Sequence, residues 1–364
     1  MTRPEEVARK LASIRSLLDD TRGGGALLTS QAGFAWVTAG GRSHISIGEA
    51  AGVASALVTA DEAYVLTTNI ELRRLLDEEV TGLPFEPVEY PWHEKDGMAK
   101  RLNDLCDTSR LVSDHDMTAA TPDLVELRFV MLPPEIDRYR ALGEDAARAV
   151  ESACVGAEPG DTEADVAARV AYECVARDIL PLVDLVAADD RIAAYRHPLP
   201  TPNRVRHTLL VALTGRRHGL HASLTRMVSF GPPEDELARR HSAVTKVDAG
   251  VLEASRPGVL LADAFAVLVD RYAEEGFANE WIHHHQGGLT GYAGREIFAT
   301  PAATHRVQPN EVVAWNPSIT RVKSEDAVLV GQDGLEILTR TGTWPETAIE
   351  VDFGELTRPA LLVR

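Results

Sequence analysis

Two adjacent prolines near the middle of the chain constrain its organisation most. Pro133 and Pro134 stand at the start of a long helical pattern, PPEIDRYRALGEDAARAVESACVG. Proline fits the first turn of a helix but not its interior, so a new element begins here. With 364 residues, 45% of them hydrophobic, the chain is long enough for two cores. We therefore predict an N-terminal domain at 1–130, a linker at 131–136 and a C-terminal domain at 137–364.

Helical and strand-like patterns alternate on both sides of this point, which predicts a mixed α/β (α+β) protein. An amphipathic helix with Leu11, Ile14 and Leu18 on one face opens the N-terminal half, and ALLTS, GFAWVTAGG and VASALVTADEAYVLTT then indicate strands, the last a hairpin. In the C-terminal half the patterns predict helices at 135–155, 162–178, 234–254 and 260–275. The segments WIHHHQGG, VVAWNPSI and AVLVGQDGLEILT have strand character, and the last predicts a hairpin that turns at Gln332-Asp333-Gly334.

One segment of the C-terminal half contains no carboxylate. From Arg191 to Pro233 there is no Asp or Glu, although the chain has 55 acidic residues, and seven arginines and four histidines fall in this window. Within it, VALTGRRHGLHASLTRMVSFG predicts two strands joined by a turn near Gly219. Such a window suits a small anionic or zwitterionic substrate, because local positive potential concentrates anions. The alternative is that these arginines only neutralise the negative charge of acidic helices elsewhere in the chain.

The overall charge excludes some classes of partner. A net charge of −18 and a pI near 5.1 argue against nucleic acid and against an anionic membrane surface. No run of 18 apolar residues occurs, and the N-terminal pattern is that of an amphipathic helix rather than a signal peptide. The three cysteines, Cys106, Cys154 and Cys174, have no metal-ligand spacing, so reduced thiols in the cytoplasm are expected.

Four short motifs contain residues that could carry chemistry. They are YRHPLP with His197, HHHQGGLTGYAGRE with His285, VVAWNPSI with Asn316, and KSEDAVLV with Glu325. Each has an ordinary structural explanation when taken alone: a solvated loop histidine, a surface histidine run, a turn at a strand end and an exposed cap. The two glycines after HHHQ indicate a close approach of the backbone to a ligand.

Taken together, the order and spacing of these motifs resemble the pita-bread family of aminopeptidase P, prolidase, methionine aminopeptidase and creatinase. The resemblance covers essentially the whole chain and implies an N-terminal creatinase-like α/β domain followed by a C-terminal pita-bread catalytic domain. In the family's metallopeptidases, two Asp, one His and two Glu hold two metal ions. The resemblance places these five ligands, in that order, at Ala212, Ser223, His285, Asn316 and Glu325.

Three of the five positions therefore lack a ligand, and a dinuclear metal site is expected to be absent. Divalent ions of this kind need several anionic oxygen donors, which one His and one Glu do not supply. We accordingly expect no metal and no other cofactor. A single-ion site at His283, His285 and Glu325 stays open, because alternate residues on a strand share a face and adjacent residues do not.

The metal-free member of the family, creatinase, offers a different set of roles. It hydrolyses a C–N bond of a small guanidino acid with a histidine base, and that base corresponds to His197. Two arginines that hold the substrate carboxylate correspond to Arg42, donated by the partner subunit, and Arg295. Thr225 stands where the family has a glutamate that holds the guanidinium, and Tyr292 and Asn316 complete the expected substrate-binding set. The resemblance implies a homodimer with a shared active site.

These considerations predict a metal-independent hydrolase or lyase that acts on a C–N bond of a small, carboxylate-bearing nitrogen compound. His197 is the expected general base, with His285 and Glu325 as further catalytic residues. Two alternatives remain. One is a catalytically inactive pita-bread module that binds peptides, as in histone chaperones. The other is an aminopeptidase P-like metallopeptidase with an unusual metal site.

Overall fold

The computed structural model describes residues 1–115, 122–352 and 354–364. The chain divides into two compact units. The first comprises Met1–Ile136 with the short turn His218–Leu220, and the second comprises Asp137–Arg217 with His221–Arg364. The long central helix begins at Pro133, inside the expected linker, so part of that segment is helical. The domain limits given above stay a prediction.

The first unit is built around a five-stranded sheet. Its helices are α1 (Arg3–Thr21), α2 (Gln31–Val37), α3 (Leu72–Arg74, continued by a π turn at Leu75–Glu79), α4 (Gly97–Leu105) and α5 (Pro122–Glu126). Its strands are β1 (Gly25–Ser30), β2 (Ala51–Val58), β3 (Ala63–Thr68), β4 (Glu86–Tyr90) and β5 (Leu111–Ser113). The strand order is β4-β3-β2-β1-β5. The predicted first helix and the β2–β3 hairpin are both confirmed.

One strand prediction in this unit was wrong. The segment GFAWV forms helix α2, not a strand. The helix begins after Ser30, whose side chain accepts a hydrogen bond from the backbone N–H of Gly33. The carboxylate of Asp114 in turn accepts the backbone N–H of Thr29 at 2.8 Å and holds this capping turn in place. An N-cap of this kind stabilises a helix start regardless of the strand propensity of the residues that follow.

The second unit begins with α6 (Pro133–Gly156), which also contributes its first turn to the first unit. The other helices are α7 (Glu163–Val175), α8 (Asp190–Ala194), α9 (Asp235–Ala254) and α10 (Leu261–Glu274). The strands are β6 (Leu180–Ala188), β7 (Thr208–Arg217), β8 (Leu220–Ser229), β9 (Gly287–Thr290), β10 (Ile297–Phe298), β11 (Glu311–Trp315), β12 (Ser318–Ile319), β13 (Val322–Lys323), β14 (Asp326–Val330), β15 (Leu335–Ile337), β16 (Glu346–Val351), β17 (Gly354–Pro359) and β18 (Leu362–Val363). The four long helices expected in this half are confirmed.

Two sheets form the body of the second unit. One has the strand order β18-β8-β7-β6 and contains the hairpin of the carboxylate-free segment, as predicted. The other has the order β10-β9-β11-β14-β15, with the predicted β14–β15 hairpin at its edge. Strands β7, β8, β11 and β14 are buried along most or all of their length, so they belong to the core of this unit.

The histidine run differs from its strand prediction. Glu280–His283 forms a 3₁₀ turn, and strand β9 starts only at Gly287. Gly287 and Gly288 have φ of 99° and 144°, and a Cβ on either would lie about 2 Å from a carbonyl oxygen, that of Ala314 or Ile297. The close approach predicted from the glycines is therefore to the neighbouring strands β11 and β10, not to a ligand. Across the described residues, no helix has the length and apolarity needed to cross a membrane.

Candidate functional site

A cavity of 340 Å³ in the second unit collects most of the residues singled out in the sequence. Its polar lining consists of His197, Thr214, His221, His285, Arg295, Asn316, Lys323 and Glu325. Its apolar lining comes mainly from strands β6 and β7 and from Phe298. Among the described residues that line it, Glu325 is the one carboxylate, so the charge around that residue decides what the cavity binds.

Glu325 is buried, with 4% of its surface exposed, and both of its oxygens accept hydrogen bonds. Oε2 accepts from Nζ of Lys323 at 2.7 Å and from Oγ1 of Thr225 at 3.0 Å, and Oε1 accepts from Nη2 of Arg295 at 3.1 Å. Burial alone would raise the pKa of this carboxyl. The charges of Lys323 and Arg295 outweigh that effect and lower the pKa to about 2, so Glu325 is ionised at neutral pH.

Two cations therefore face one anion in the cavity wall. Arg295 and Lys323 are both buried beside Glu325, with side chains 8% and 9% exposed. Nη1 of Arg295 donates to the carbonyl of Gly294 at 2.6 Å, whereas its Nε is buried without a hydrogen-bond partner in the described part of the chain. The charge of these three groups sums to plus one. Such a wall favours an anionic group on a ligand.

The side-chain oxygen of Asn316 is a second polar atom without a partner among the described residues. The backbone N–H of Asn316 donates to the carbonyl of Gln286 at 3.1 Å, which fixes the residue at the end of β11. The side chain is 2% exposed and lines the cavity, yet within the described structure its Oδ1 is buried and unpaired. A buried polar atom left without a partner costs about 1–3 kcal/mol, so it is a natural contact for a ligand.

Three histidines meet at the cavity. Nε2 of His197 lies 2.9 Å from Nε2 of His284, and the ring centroids of His284 and His285 are 4.5 Å apart. One nitrogen of each of the three rings lies within 4.8 Å of the corresponding atoms of the other two. Burial is the largest cause that lowers the pKa of each ring, to about 2 for His284 and about 4 for His285, with Lys323 contributing at all three. The cluster is therefore neutral at pH 7.

The expectation that His283 shares a face with His285 was wrong. It assumed a strand, but His283 ends the 3₁₀ turn, and His284 follows with extended backbone angles that bring its ring to His285. His283 is exposed, whereas His284 is 9% exposed. Strand alternation does not apply where a turn meets a strand, and nothing in the sequence pattern marked that junction.

The loop that carries His197 is held at both ends by one buried carboxylate. Glu163, the first residue of α7, is fully buried and accepts hydrogen bonds from the backbone N–H of Ala188 at 2.9 Å and of Thr201 at 3.0 Å. The side chains of Arg191 and Asn203 bind the same carboxylate. The loop between Ala188 and Asn203 is therefore closed on itself, and His197 lies near its middle.

A second ion pair ties this loop to the histidine run. The guanidinium of Arg196 donates to the carboxylate of Glu280, the first residue of the 3₁₀ turn that leads to His284. The carboxylate of Glu280 also accepts from the backbone N–H of Thr320 at 3.0 Å. This ion pair therefore joins the residue before His197 to the turn that leads to His284.

Asp326, the residue after Glu325, belongs to a buried network of ion pairs. One oxygen of Asp326 lies 3.0 Å from Nη1 of Arg226, and the other lies 2.8 Å from Nη2 of Arg358. Arg358 is fully buried and also donates from Nε to Asp248 at 2.8 Å. Strand β17 thus anchors the residue next to Glu325 from the far side of the sheet.

Not every expected site residue reaches the cavity. His197, His285, Arg295, Asn316, Glu325 and the expected ligand position Ala212 line it. The hydroxyl of Thr225 binds Glu325 and is not part of the lining. Tyr292 is buried and outside the lining, and Ser223, the other expected Asp position, is buried with its hydroxyl 2.9 Å from that of Thr214.

Arg42 belongs to the first unit. Its Nε lies 3.1 Å from Oε1 of Glu79, and its side chain is about half exposed. Its expected role in a partner's active site therefore stays a prediction.

The polar residues of the site that were missed in the sequence are Lys323, His284, His221 and Thr214. Lys323 is two residues before Glu325 in the motif KSED, and the pair could have been found by asking which cation neutralises a buried carboxylate. His284 was missed because the histidine run was expected to be a strand, in which His284 and His285 would point to opposite faces.

The cavity residues do not fit a dinuclear metal centre. Such a centre needs several carboxylate oxygens, and here the one lining carboxylate, Glu325, already has both oxygens bound to Lys323, Thr225 and Arg295. Two of those partners are cations, which would repel an entering metal ion. The three-histidine cluster offers nitrogen ligands for a single ion instead.

Comparison with known proteins identifies the family. The model of metallopeptidase family M24 matches residues 137–336, which is more than half of the chain. The chain belongs to family M24. The two sheets of the second unit form the pita-bread fold, and the predictions of family and fold class are confirmed.

The relatives are peptidases. The chain is 29% identical to the probable dipeptidase PepE of Mycobacterium bovis over 226 residues, which cover 59% of this chain and 60% of that protein. The match thus spans about three fifths of the length of this curated relative. The solved structure of the Xaa-Pro dipeptidase from Bacillus anthracis superposes with a TM-score of 0.77 at 17% identity and covers 98% of this chain and 100% of its own.

The same fold occurs in a protein that is not described as a peptidase. The N-terminal domain of the FACT complex subunit SPT16 from chickpea has a TM-score of 0.71 at 11% identity and covers 93% of this chain and 97% of its own. At this identity the similarity concerns the fold alone.

Proposed function

We propose that this M24 member is a hydrolase or lyase that cleaves a C–N bond in a small carboxylate-bearing nitrogen compound without a dinuclear metal centre. The observation that carries the proposal is the wall of the cavity, where Lys323 and Arg295 face the one lining carboxylate, Glu325, among the described residues. Hydrolysis is the chemistry of the family's dipeptidases, and an excess of positive charge suits a substrate carboxylate.

The cavity supplies a binding group for each end of such a substrate. Arg295 would hold the carboxylate, since charge-assisted hydrogen bonds to buried groups contribute about 1.5–3 kcal/mol each. The unpaired amide of Asn316 would contact the polar group at the scissile bond. Glu325 keeps Arg295 and Lys323 oriented, and His285 flanks the reacting group.

His197 would act as the general base. Its pKa is lowered, by burial first and then by Lys323, so the ring is neutral and has a lone pair at pH 7. It lies on a loop held by Glu163, and a positioned base accelerates proton transfer by about 10²–10⁴-fold.

Residue chemistry supports the proposal that the reaction uses no dinuclear metal centre. Ala212 and Ser223 offer no anionic oxygen where the resemblance places two aspartates, and Asn316 offers a neutral amide where it places a glutamate. Metal-assisted peptidase chemistry, as the names of the relatives suggest, is the alternative. Chelation distinguishes the two, because it abolishes only the metal-dependent reaction.

A homodimer in which Arg42 enters the partner's cavity is part of the proposal, and so is a reducing compartment such as the cytoplasm. Three free cysteines, two of them buried, support a reducing environment. The Arg42 side chain is about half exposed.

The test is a panel of small N-acyl, ureido and guanidino carboxylates, assayed for ammonia or amine release with and without EDTA. Turnover that resists EDTA and falls in His197→Ala, but not in the exposed control His207→Ala, is the expected result. Turnover restricted to Xaa-Pro dipeptides and lost with EDTA would favour the metallopeptidase. No turnover of any member, with saturable peptide binding, would favour the binding module, whose fold-level precedent is the SPT16 domain.

A further inference from the structure

The three-histidine cluster has a property that the proposed reaction does not require. His197, His284 and His285 come from two separate segments, yet one nitrogen of each lies within 4.8 Å of the others. A base needs one ring, and one partner ring is enough to orient it. The third ring completes a set of three nitrogen ligands.

The spacing fits a tetrahedral ion. Zn–N bonds of about 2.0–2.1 Å at tetrahedral angles separate two ligand nitrogens by about 3.3 Å. The Nε2 atoms of His197 and His284 lie 2.9 Å apart, and the ligand nitrogens of the other two pairs of rings lie at most 4.8 Å apart. These distances bracket the tetrahedral value. Small ring rotations are therefore enough, and a fourth position would face the cavity that His197 and His285 line.

The ligand type selects the class of ion. Imidazole nitrogen binds Zn²⁺, Cu²⁺ and Ni²⁺ well, whereas Mg²⁺, Ca²⁺ and Mn²⁺ prefer oxygen donors. A neutral imidazole ring has one nitrogen lone pair, so the three rings offer one ligand atom each. The proton between the two Nε2 atoms of His197 and His284 moves to Nδ1 of the ring that carries it when the ion enters.

Two features limit the affinity. Lys323 and Arg295 line the same cavity and repel a dication. Histidines of permanent zinc sites donate their second N–H to a carboxylate or carbonyl, but Nδ1 of His284 is buried with no hydrogen-bond partner in the described part of the chain. The geometry therefore fits an exchangeable ion, not a structural one.

We propose that His197, His284 and His285 bind one nitrogen-preferring divalent ion, with Zn²⁺ as the best match, and that the bound ion inhibits the enzyme by occupying the ring nitrogen of the base. The binding site is independent of the proposed reaction, whereas the inhibition rests on it. The proposed effect of the metal ion is opposite to its effect in a metallopeptidase, where the bound metal activates the enzyme.

The binding test uses the full-length protein after chelation and dialysis. Isothermal titration with ZnCl₂ should give one ion per chain, and CoCl₂ should give the visible absorption of tetrahedral cobalt. His284→Ala should weaken Zn²⁺ binding by at least about tenfold. His283→Ala is the matched control, since His283 is the exposed neighbour outside the cluster, and it should bind as the wild type does. MgCl₂ should give no saturable heat.

Several results would overturn the site. They are a stoichiometry of two ions, no saturable Zn²⁺ binding, or equal loss in His284→Ala and His283→Ala. If His284→Ala does not fold by circular dichroism, His197→Gln on the exposed loop replaces it, with the same expected loss. Where a turnover assay exists, Zn²⁺ should lower activity and EDTA should restore it. Activation by bound Zn²⁺ would overturn both the proposed inhibition and the metal-free reaction, but the binding site itself would stand. Zn²⁺ binding without an effect on turnover would overturn the inhibition alone.

Discussion

The carboxylate of Glu163 accepts both the backbone N–H and the hydroxyl of Thr201, at 3.0 and 2.7 Å, and so fixes the far end of the loop that carries His197. The same carboxylate accepts the backbone N–H of Ala188 at the near end. A side chain on α7 thereby determines where a residue 34 positions later, His197, can lie.

Replacing Glu163 with Gln should loosen this loop. The amide keeps one acceptor oxygen but loses the other, and it loses the charge that pairs with Arg191. We expect a loss of about 1–3 kcal/mol in the free energy of unfolding and faster amide hydrogen exchange between Ala188 and Asn203. Glu158→Gln, an exposed acid just before the same helix, is the control and should change neither. Unaltered exchange in Glu163→Gln would contradict the role of this carboxylate.

Because of Glu325, the free energy of unfolding should depend on pH in the acidic range. Its pKa is lowered from 4.5 to about 2 in the folded chain. A lowered carboxyl pKa contributes stability that is complete above about 4.5 and is lost as the pH falls towards 2, since the unfolded chain binds the proton first. Denaturant titrations between pH 6 and the lowest pH at which the protein folds reversibly should show this fall.

Glu325→Gln should remove that part of the pH dependence and cost about 3–5 kcal/mol at pH 7, because Lys323 and Arg295 are left buried without their anion. Glu336→Gln is the control, since Glu336 pairs with Arg140 at the surface. Exposed pairs of this kind contribute about 0–1 kcal/mol. Equal effects of the two substitutions would refute the pairing described here.

Arg295→Ala should weaken the binding of carboxylate ligands by roughly one to two powers of ten, which corresponds to one charge-assisted contact. The measurement is the Kd of a panel member that is turned over, taken with His197→Ala enzyme so that the ligand survives. Arg306→Ala, an exposed arginine of the same unit, serves as the control. Tight binding by Arg295→Ala would show that the carboxylate lies elsewhere.

His197→Ala should reduce turnover by about 10²–10⁴-fold and leave the melting temperature nearly unchanged, because the residue lies on an exposed loop and its ring is only partly buried. In the wild type, the acidic limb of kcat/KM should lie below the usual histidine value of about 6.5, since the pKa of His197 is lowered. An acidic limb above that value would assign the base to another group.

A shared active site predicts complementation. Mixed Arg42→Ala and His197→Ala chains should regain part of the activity, because some heterodimer sites then contain both intact residues. Light scattering at micromolar concentration should report a dimer. A monomer, or no recovery on mixing, would remove Arg42 from the site.

The sequence predicted the long helices well, since their caps and apolar spacing are local signals. It also brought His197, His285, Arg295, Asn316 and Glu325 to one cavity through the resemblance, and the structure places all five in its lining. Helix α2 was missed because its start depends on Asp114, more than 80 residues away. His284 was missed because its orientation depends on a turn that meets a strand, and that junction has no periodicity of its own.

The position of Arg358 has a consequence for synthesis. Its partner Asp248 precedes it by 110 residues, so at 5–20 residues per second the ribosome makes the aspartate roughly 5–20 s before its cation. During that interval Asp248 lacks its buried cation, and Asp326, next to Glu325, lacks one of its two cationic partners. The interior beneath the cavity therefore closes late in translation, and chaperones or proteases meet a nascent chain whose second unit is still open.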